Sequence, residues 1–527
     1  MIHAVARTLA ELKAQRLAGL PGRERRVLAE PLLPAARALP MRSVEAQVLV
    51  ELADAWLDED PARAGQLARR AEALLSEGAP NLLALSLSVQ ADAATADNDH
   101  EAAFMLLQRA VSLARQQRAR MNTPDLRATS MKDRIRVFDG IVAAALATGR
   151  RETALELAEM ARPSLEPDPA PASIVEIRNA LQPDEAVLAY TWLGPARLLV
   201  GVIEQDRCLV EDLPFPPSGL AALDEFAAFF RNAGSKGWAL RGEHVFAIDE
   251  MAEALLPAAA RAALKRRKRI TVIAHRALHA LPFGLLPVNG GRLGLQHPVA
   301  MAPSLRSTVR RVETAQGRLA AICGVSQYPG LHSTPKFAEA ATAVTARHCA
   351  EGLAVEVLPE SGARQALLAL AANGRLRECA LVALACHGTS VQGDAPGGSF
   401  VQLGADRLDA ATIERLPLRA DLVMLVACCS GQRAVGGMDM PVWPGDDLFG
   451  LQAALWRAGA RQMVGALWNA DVGAASLMAQ WIDLFWLKGA SAPEAVFEGA
   501  KRLVEHRPLY EFNYEWATFV AAVFGRK

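Results

Sequence analysis

Two stretches decide how this chain reads: CALVALACHGTS at 379–390 and ADLVMLVACCSGQ at 420–432. Each is a nearly unbroken apolar run of strand length that ends in chemically distinctive residues, Cys386-His387 in one and Cys428-Cys429 in the other. Runs without polar alternation fit strands buried on both faces, as in a mostly parallel sheet covered by helices. In such sheets, sites form where loops leave the carboxyl ends of the strands. If the two runs are neighbouring parallel strands, their tips bring an imidazole and a thiol together, and 388–420 is long enough for the crossover.

A cysteine beside a histidine is the minimal arrangement for thiol nucleophilic catalysis, because an imidazole titrating near neutrality accepts or stabilises the thiol proton. The small residues that follow, Gly388 and Ser430-Gly431, leave room for a peptide and expose backbone N–H groups suited to an oxyanion. Successive side chains of an extended segment face opposite ways, so only one of Cys428 and Cys429 is expected to meet His387. Composition and period leave the choice between them open. Cys386, next to the histidine, points away and reads as a core residue. Competing chemistries fit less well. Adjacent Cys-His and Cys-Cys pairs lack zinc-ligand spacing, and the loop to Arg433 has too few glycines for a phosphate loop. No metal or cofactor is expected. The bland alternative is two buried thiols at strand ends.

The chain has 527 residues, 57 Lys plus Arg and 57 Asp plus Glu. This balance gives no support to nucleic-acid binding through a general positive field. The dense basic run KRRKR at 265–269 closes a helical pattern and reads as a solvated helix end, with a partner-binding patch as the alternative. No apolar h-region occupies the first 40 residues and no apolar run is long enough to span a bilayer, so no membrane partner is expected. Seven cysteines without paired spacing point to a reducing compartment and a cytoplasmic protein.

Residues 1–43 read as a partly irregular leader. Over 44–165, six segments from VEAQVLVELADAWL to RETALELAEMA carry apolar residues at three- and four-residue intervals, separated by short turns. They predict helical hairpins, of tetratricopeptide type or in an unrelated helical packing, since no clean 34-residue period survives. The Pro-rich ARPSLEPDPAPA at 161–172 ends this region. Three strands are expected over 185–215, helices at about 219–232 and 249–264, and from 269 onward strands alternating with helices.

Several blocks, in order, resemble the CHAT domain, a caspase-like and separase-like cysteine peptidase module often attached to tetratricopeptide repeats in bacteria. They are AHRALHALPFGLLPVNGGRLG (274–294) with APSL (302–305), LACHG (384–388), LVACCSG (425–431), GDDLFGLQAALWRAGARQMVGALWNAD (445–471) and YEWATFVAAVFG (514–525). The resemblance covers 174–527, divided into an N-terminal part (174–268) and a core (269–527), and implies an α/β caspase-like fold behind an all-α helical-repeat region. It registers Ala427-Cys428 on the family's Ala-Cys pair and Gly431 on its glycine. Cys428 is thereby the implied nucleophile of a cysteine endopeptidase, His387 its partner, and the backbone N–H groups of Gly388 and Cys428 the oxyanion donors. The chain departs from the family at Ala274-His275-Arg276, where relatives usually carry a Pro-Asp-Gly-like turn, and in the long segment QRAVGGMDMPVWPGDD (432–447).

No third residue that orients the histidine is identifiable. Asp471, Asp446 and Asp447 are candidates for a substrate pocket, each with a helix-cap alternative. His275 and His279 read as structural, and Trp443, Trp468 and Trp516 as packing residues. The expected partners are a protein substrate and an operon-encoded activator, recruited or restrained through the helical region. The alternative is a caspase-like scaffold that has lost turnover.

Overall fold

The computed structural model describes residues 2–75, 79–121, 135–162, 171–194, 196–231, 242–315, 317–330, 333–389, 399–431, 450–509 and 514–527. The chain divides into two compact units, Met1–Pro171 and Ala172–Lys527.

The first unit is all helical: α1 (Ile2–Leu17), α2 (Gly22–Ala29), α3 (Leu32–Arg37), α4 (Arg42–Trp56), α5 (Pro61–Leu74), α6 (Pro80–Ala96), α7 (His100–Ala119), α8 (Ile135–Ala147) and α9 (Arg151–Ala158). The first three replace the partly irregular leader expected over 1–43. Val5, Leu9 and Leu12 on α1 pack with Ala29, Ala36, Val48 and Leu52, so an apolar stripe too sparse to stand out in sequence is still enough to dock a helix. From α4 on, each helix packs on the next. Asp60 and Asp99 cap α5 and α7 by accepting from Arg63 and Ala102 N–H. Asp54 and Asp92 stand at the same place in α4 and α6, and Arg136 of α8 reaches both carboxylates. Arg25 adds a further bond to Asp54 at 2.6 Å.

The second unit is built on an eleven-stranded sheet. Its strands are β1 (Glu185–Trp192), β2 (Arg197–Glu204), β3 (Cys208–Pro214), β4 (Arg269–Ile273), β5 (Val299–Met301), β6 (Leu319–Gly324), β7 (Val355–Val357), β8 (Cys379–Ala385), β12 (Leu422–Val426), β13 (Gln462–Ala466) and β14 (Phe519–Val523). A second sheet holds β9 (His387–Thr389), β10 (Phe400–Leu403) and β11 (Asp406–Asp409). The large sheet runs β3-β2-β1-β4-β5-β14-β13-β12-β8-β6-β7. Pairing is parallel except along β3-β2-β1 and between β14 and β13. The connecting helices include α10 (Ile174–Ala180), α11 (Pro217–Arg231), α12 (Gly242–Leu255), α13 (Ala258–Arg266), α14 (Pro335–Ala350), α15 (Ala363–Ala372), α16 (Ala410–Glu414), α17 (Leu451–Ala458), α18 (Val472–Leu487) and α19 (Ala492–His506). One apolar core joins Leu381 and Ala383 of β8, Leu422 and Met424 of β12, Phe337 and Val344 of α14 and Met478 of α18.

The single helix expected over 249–264 is two, because Pro257 lacks the N–H and instead opens α13. The basic run at its end is ion-paired. Arg266 and Arg267 both grip Glu204, each at 2.6 Å, and the Glu204 side chain has no exposed surface. Burial pushes the Glu204 carboxyl up, and the hydrogen bonds from Arg266 and Arg267 more than reverse this, leaving it below the usual carboxylate value. Replacement Glu204→Gln, which keeps the shape and removes the charge, is expected to lower stability by about 1–3 kcal/mol at neutral pH, read as a lower urea midpoint at constant slope.

Candidate active site

The site forms where β8 and β12 end. Their parallel register pairs Leu381 with Leu422 and Ala385 with Val426, and the Cys386 N–H still donates to the Val426 carbonyl at 3.2 Å. Two residues beyond the last pair stand His387 and Cys428. The approach continues at the next step. A Cβ built on Gly388 would lie 2.4 Å from the Cys428 carbonyl oxygen and 3.2 Å from its nitrogen, so only glycine lets these backbones meet.

The strand predicted to run through Cys429 stops at Val426, and Ala427 to Gly431 form a turn. Strand alternation therefore does not separate the two thiols. Cys429 has φ +58°, in the left-handed region. Its N–H points to the Trp468 carbonyl at 3.4 Å, and its Sγ lies 3.6 Å from Asn469 Oδ1. Both partners follow β13, on the side of β12 away from His387. Cys386 is fully buried and its thiol is pushed well up by desolvation, as a core residue requires.

Ser430, unremarked in the sequence beyond its small size, fastens the turn. Its hydroxyl is completely buried, faces the carbonyls of Ala427 (2.7 Å) and Leu425 (3.1 Å), and accepts the Ala466 N–H at 3.1 Å. The Gly431 N–H adds a bond to the Ala466 carbonyl at 2.9 Å. The turn that carries Cys428 is thus tied to β13.

His387 is held from its other side by the loop between β6 and α14. Its backbone N–H donates to the Tyr328 hydroxyl at 3.2 Å, and that hydroxyl donates to the Val325 carbonyl at 2.8 Å. The imidazole packs on Tyr328 with centroids 4.4 Å apart and meets Phe337 edge-on at 5.7 Å. Its Nε2 lies 3.2 Å from Thr334 Oγ1. Desolvation among these rings holds His387 below its ordinary pKa. Among the described residues no hydrogen bond joins the imidazole to the Cys428 thiol; such bonds are often long in a free enzyme and tighten with substrate.

The loop is itself clamped. Glu360, in the connection after β7, accepts from the Ser326 N–H at 2.6 Å, the Ser326 hydroxyl at 2.7 Å and the Gln327 N–H through one oxygen. Burial pushes its carboxyl up, and these donors reverse the effect and leave it below the usual value.

Of the other residues singled out in sequence, Asp471 caps α18, accepting the Ala474 N–H at 2.9 Å, while its own N–H donates to Glu515. Asp446, Asp447, Trp443 and Arg433 lie outside the described residues. His275 Nδ1 accepts the Trp192 N–H at 2.8 Å, and Arg276 adopts φ +50°, the conformation a glycine would supply there. His279 borders a cavity of about 50 Å³ that Gly431 also lines. Trp468 and Trp516 are core residues. No group of three or more His, Cys, Asp or Glu side chains arranged to hold a metal occurs among the described residues.

Residues 247–525, just over half of the sequence, match the CHAT domain. The chain belongs to the CHAT domain family. The matched span begins within α12, so β1 to β3 precede it although they complete the same sheet. No curated protein matches this CHAT domain chain. Two crystal structures of the Saccharomyces cerevisiae separase–securin complex, at 3.0 and 2.6 Å resolution, are similar to it at 10% identity and a TM-score of 0.42. The alignment covers 98% of this chain and 49% of the other, so the CHAT domain chain spans about half the length of the solved chain it matches.

Gly388→Ala is expected to destabilise the second unit by about 2 kcal/mol or more through the backbone clash, with urea unfolding as the measure; wild-type stability in this variant contradicts the close approach. For Glu360→Gln the loss is about 1–2 kcal/mol at neutral pH. Because the folded carboxyl titrates below its unfolded value near ~4.3, this contribution is present above that pH and lost as pH falls through the folded value. The gap between wild type and variant should therefore close in acid.

Proposed function

We propose that the second unit is a cysteine endopeptidase that cleaves a protein substrate through Cys428 and His387, with the helical unit recruiting the substrate or restraining the enzyme. The observation that carries this reading is the continuation of the β8–β12 register past Ala385 and Val426, supported by the contact of Gly388 with the Cys428 backbone. Membership of the CHAT domain family agrees with it.

In this reading His387 takes the thiol proton, the Cys428 sulfur attacks the scissile carbonyl, and the C–N bond breaks as the imidazolium returns the proton to the leaving amine. Water, deprotonated by the same imidazole, then releases the acyl group and restores the thiol. The backbone N–H groups of Gly388 and Cys428 are assigned to the tetrahedral oxyanion. Cys429 is assigned no chemical role, which its thiol contact with Asn469 supports. Asp471 is retained as a contributor to substrate preference only through its position after β13, since its carboxylate is engaged as a cap. Asp446 and Asp447 are proposed for the same pocket on sequence grounds. An activating protein partner bound by the stacked helices remains part of the proposal, as does a reducing compartment, in keeping with seven cysteines that form no disulfide.

The test is covalent labelling of the full chain with an electrophilic peptide probe, in wild type, Cys428→Ala, Cys429→Ala and His387→Ala, alone and with any operon-encoded partner. Labelling lost in Cys428→Ala, reduced about 10²-fold or more in His387→Ala and retained in Cys429→Ala supports the assignment. Labelling that survives Cys428→Ala overturns it, and no labelling in any arm favours a scaffold. The acid limb of the labelling rate should fall below the ordinary histidine value of ~6.5. His387 must be neutral to act as base, and burial keeps it neutral to lower pH.

A further inference from the structure

Thr334 occupies the N-cap position of α14, immediately before Pro335. A threonine there ordinarily turns its hydroxyl back to a free N–H of the first helical turn. This one makes no such capping bond. Its Oγ1 is instead directed at His387 Nε2, 3.2 Å away, from a residue that is 6% exposed. The backbone on which it stands is fixed, since the Thr334 N–H donates to the Ser326 carbonyl at 2.8 Å and Ser326 is gripped by Glu360.

We propose that Thr334 is a positioning residue: its hydroxyl accepts the Nε2–H of His387, holds the imidazole in that tautomer, and leaves Nδ1 as the basic nitrogen on the Cys428 side. The sheet order supports this division of the ring. β8, which delivers His387, lies between β6, whose following loop supplies Thr334, and β12, whose turn supplies Cys428. The ring's hydrogen-bond partner among the described residues is Thr334, with Tyr328 and Phe337 against its faces and edges. An imidazole without a fixed tautomer would spend part of its time with Nδ1 protonated, unable to take a proton from a thiol. A hydroxyl accepting in this place orients the ring as a carboxylate does in a triad, without adding a negative charge that would raise the basicity of the ring; because a hydroxyl can also donate, the tautomer is the quantity the test reads.

This inference rests on the dyad proposed above, and its test is chosen to fail separately. Full-length chain is labelled with ¹⁵N-histidine, and the His387 ring signals are identified by their absence in His387→Gln. At a pH above the His387 titration, wild type and Thr334→Ser should show Nε2 protonated and Nδ1 as the bare nitrogen. Thr334→Val, which keeps the shape and removes the hydroxyl, should shift toward a mixture or the opposite tautomer, with an unchanged thermal midpoint showing that packing is intact. The labelling rate of Cys428 should fall by about tenfold or more in Thr334→Val and recover in Thr334→Ser. If Thr334→Val does not fold, Thr334→Ala is read in the same way. An unchanged His387 tautomer in the hydroxyl-free variant overturns the inference. The expected tautomer shift in a chain that labels in no arm upholds the positioning role and sinks the peptidase reading instead.

Discussion

Everything at the candidate site depends on one constraint, the closeness of two backbones just past the ends of β8 and β12. Parallel strands in register deliver their tips at the same height, but a sheet alone leaves the following residues free to diverge. Here the Cys386 N–H prolongs the ladder by one bond, and the Gly388 backbone then lies directly against that of Cys428. No side chain fits between them. His387 and the thiol-bearing residue are consequently brought together by main-chain geometry, which is stiff, and not by long side chains, which are not. The separate β9-β10-β11 sheet extends this control, because His387 itself opens β9 and pairs with Gln402.

On either side of this contact a different device fixes one member of the pair. On the β13 side, a buried serine hydroxyl and the Gly431 N–H fasten the turn, and the left-handed Cys429 directs its thiol to Asn469. On the β6 side, three successive supports converge on the imidazole: Glu360 holds the Ser326–Gln327 turn, that turn places Tyr328 and Thr334, and these meet the backbone and ring of His387. A left-handed residue costs free energy unless its surroundings over-determine it. The bonds around Cys429 supply such surroundings.

Much of the second unit was legible because its strands are buried on both faces and so appear as continuous apolar runs. The hairpins of the first unit were legible from helical period, whereas their repeat was not. α4 and α6 begin 38 residues apart and α5 and α7 begin 39 apart, too long for a 34-residue template. What escaped is of another kind. The end of β12 was misplaced because Ala-Cys-Cys continues the apolar pattern although the backbone has already turned. Thr334 looks in sequence like any threonine preceding a proline and a helix, and the missing capping bond is a fact of three dimensions. Glu360 and Tyr328 are an ordinary carboxylate and an ordinary aromatic in loops; what recruits them is spatial proximity between strands far apart in the chain. Arg276 is the reverse case. The departure from a Pro-Asp-Gly-like turn was visible in sequence, and the structure gives Arg276 there a positive φ, a conformation that glycine adopts readily.

The electrostatics of the pocket distinguish two ways in which a thiol and an imidazole can cooperate. A pre-formed thiolate–imidazolium pair needs surroundings that favour two charges, such as a carboxylate behind the ring or a helix N-terminus at the sulfur. Around His387 the described groups are a hydroxyl and two aromatic rings, and their burial of the imidazole lowers its pKa. The carboxylate that clamps the β6–α14 loop, Glu360, spends its charge on Ser326 and Gln327, and among the described residues makes no bond to the ring. Such surroundings favour a neutral base that removes the proton as the sulfur attacks, with charge appearing only as the reaction proceeds. In the proposed peptidase the resting imidazole is then a neutral proton acceptor and not a standing cation.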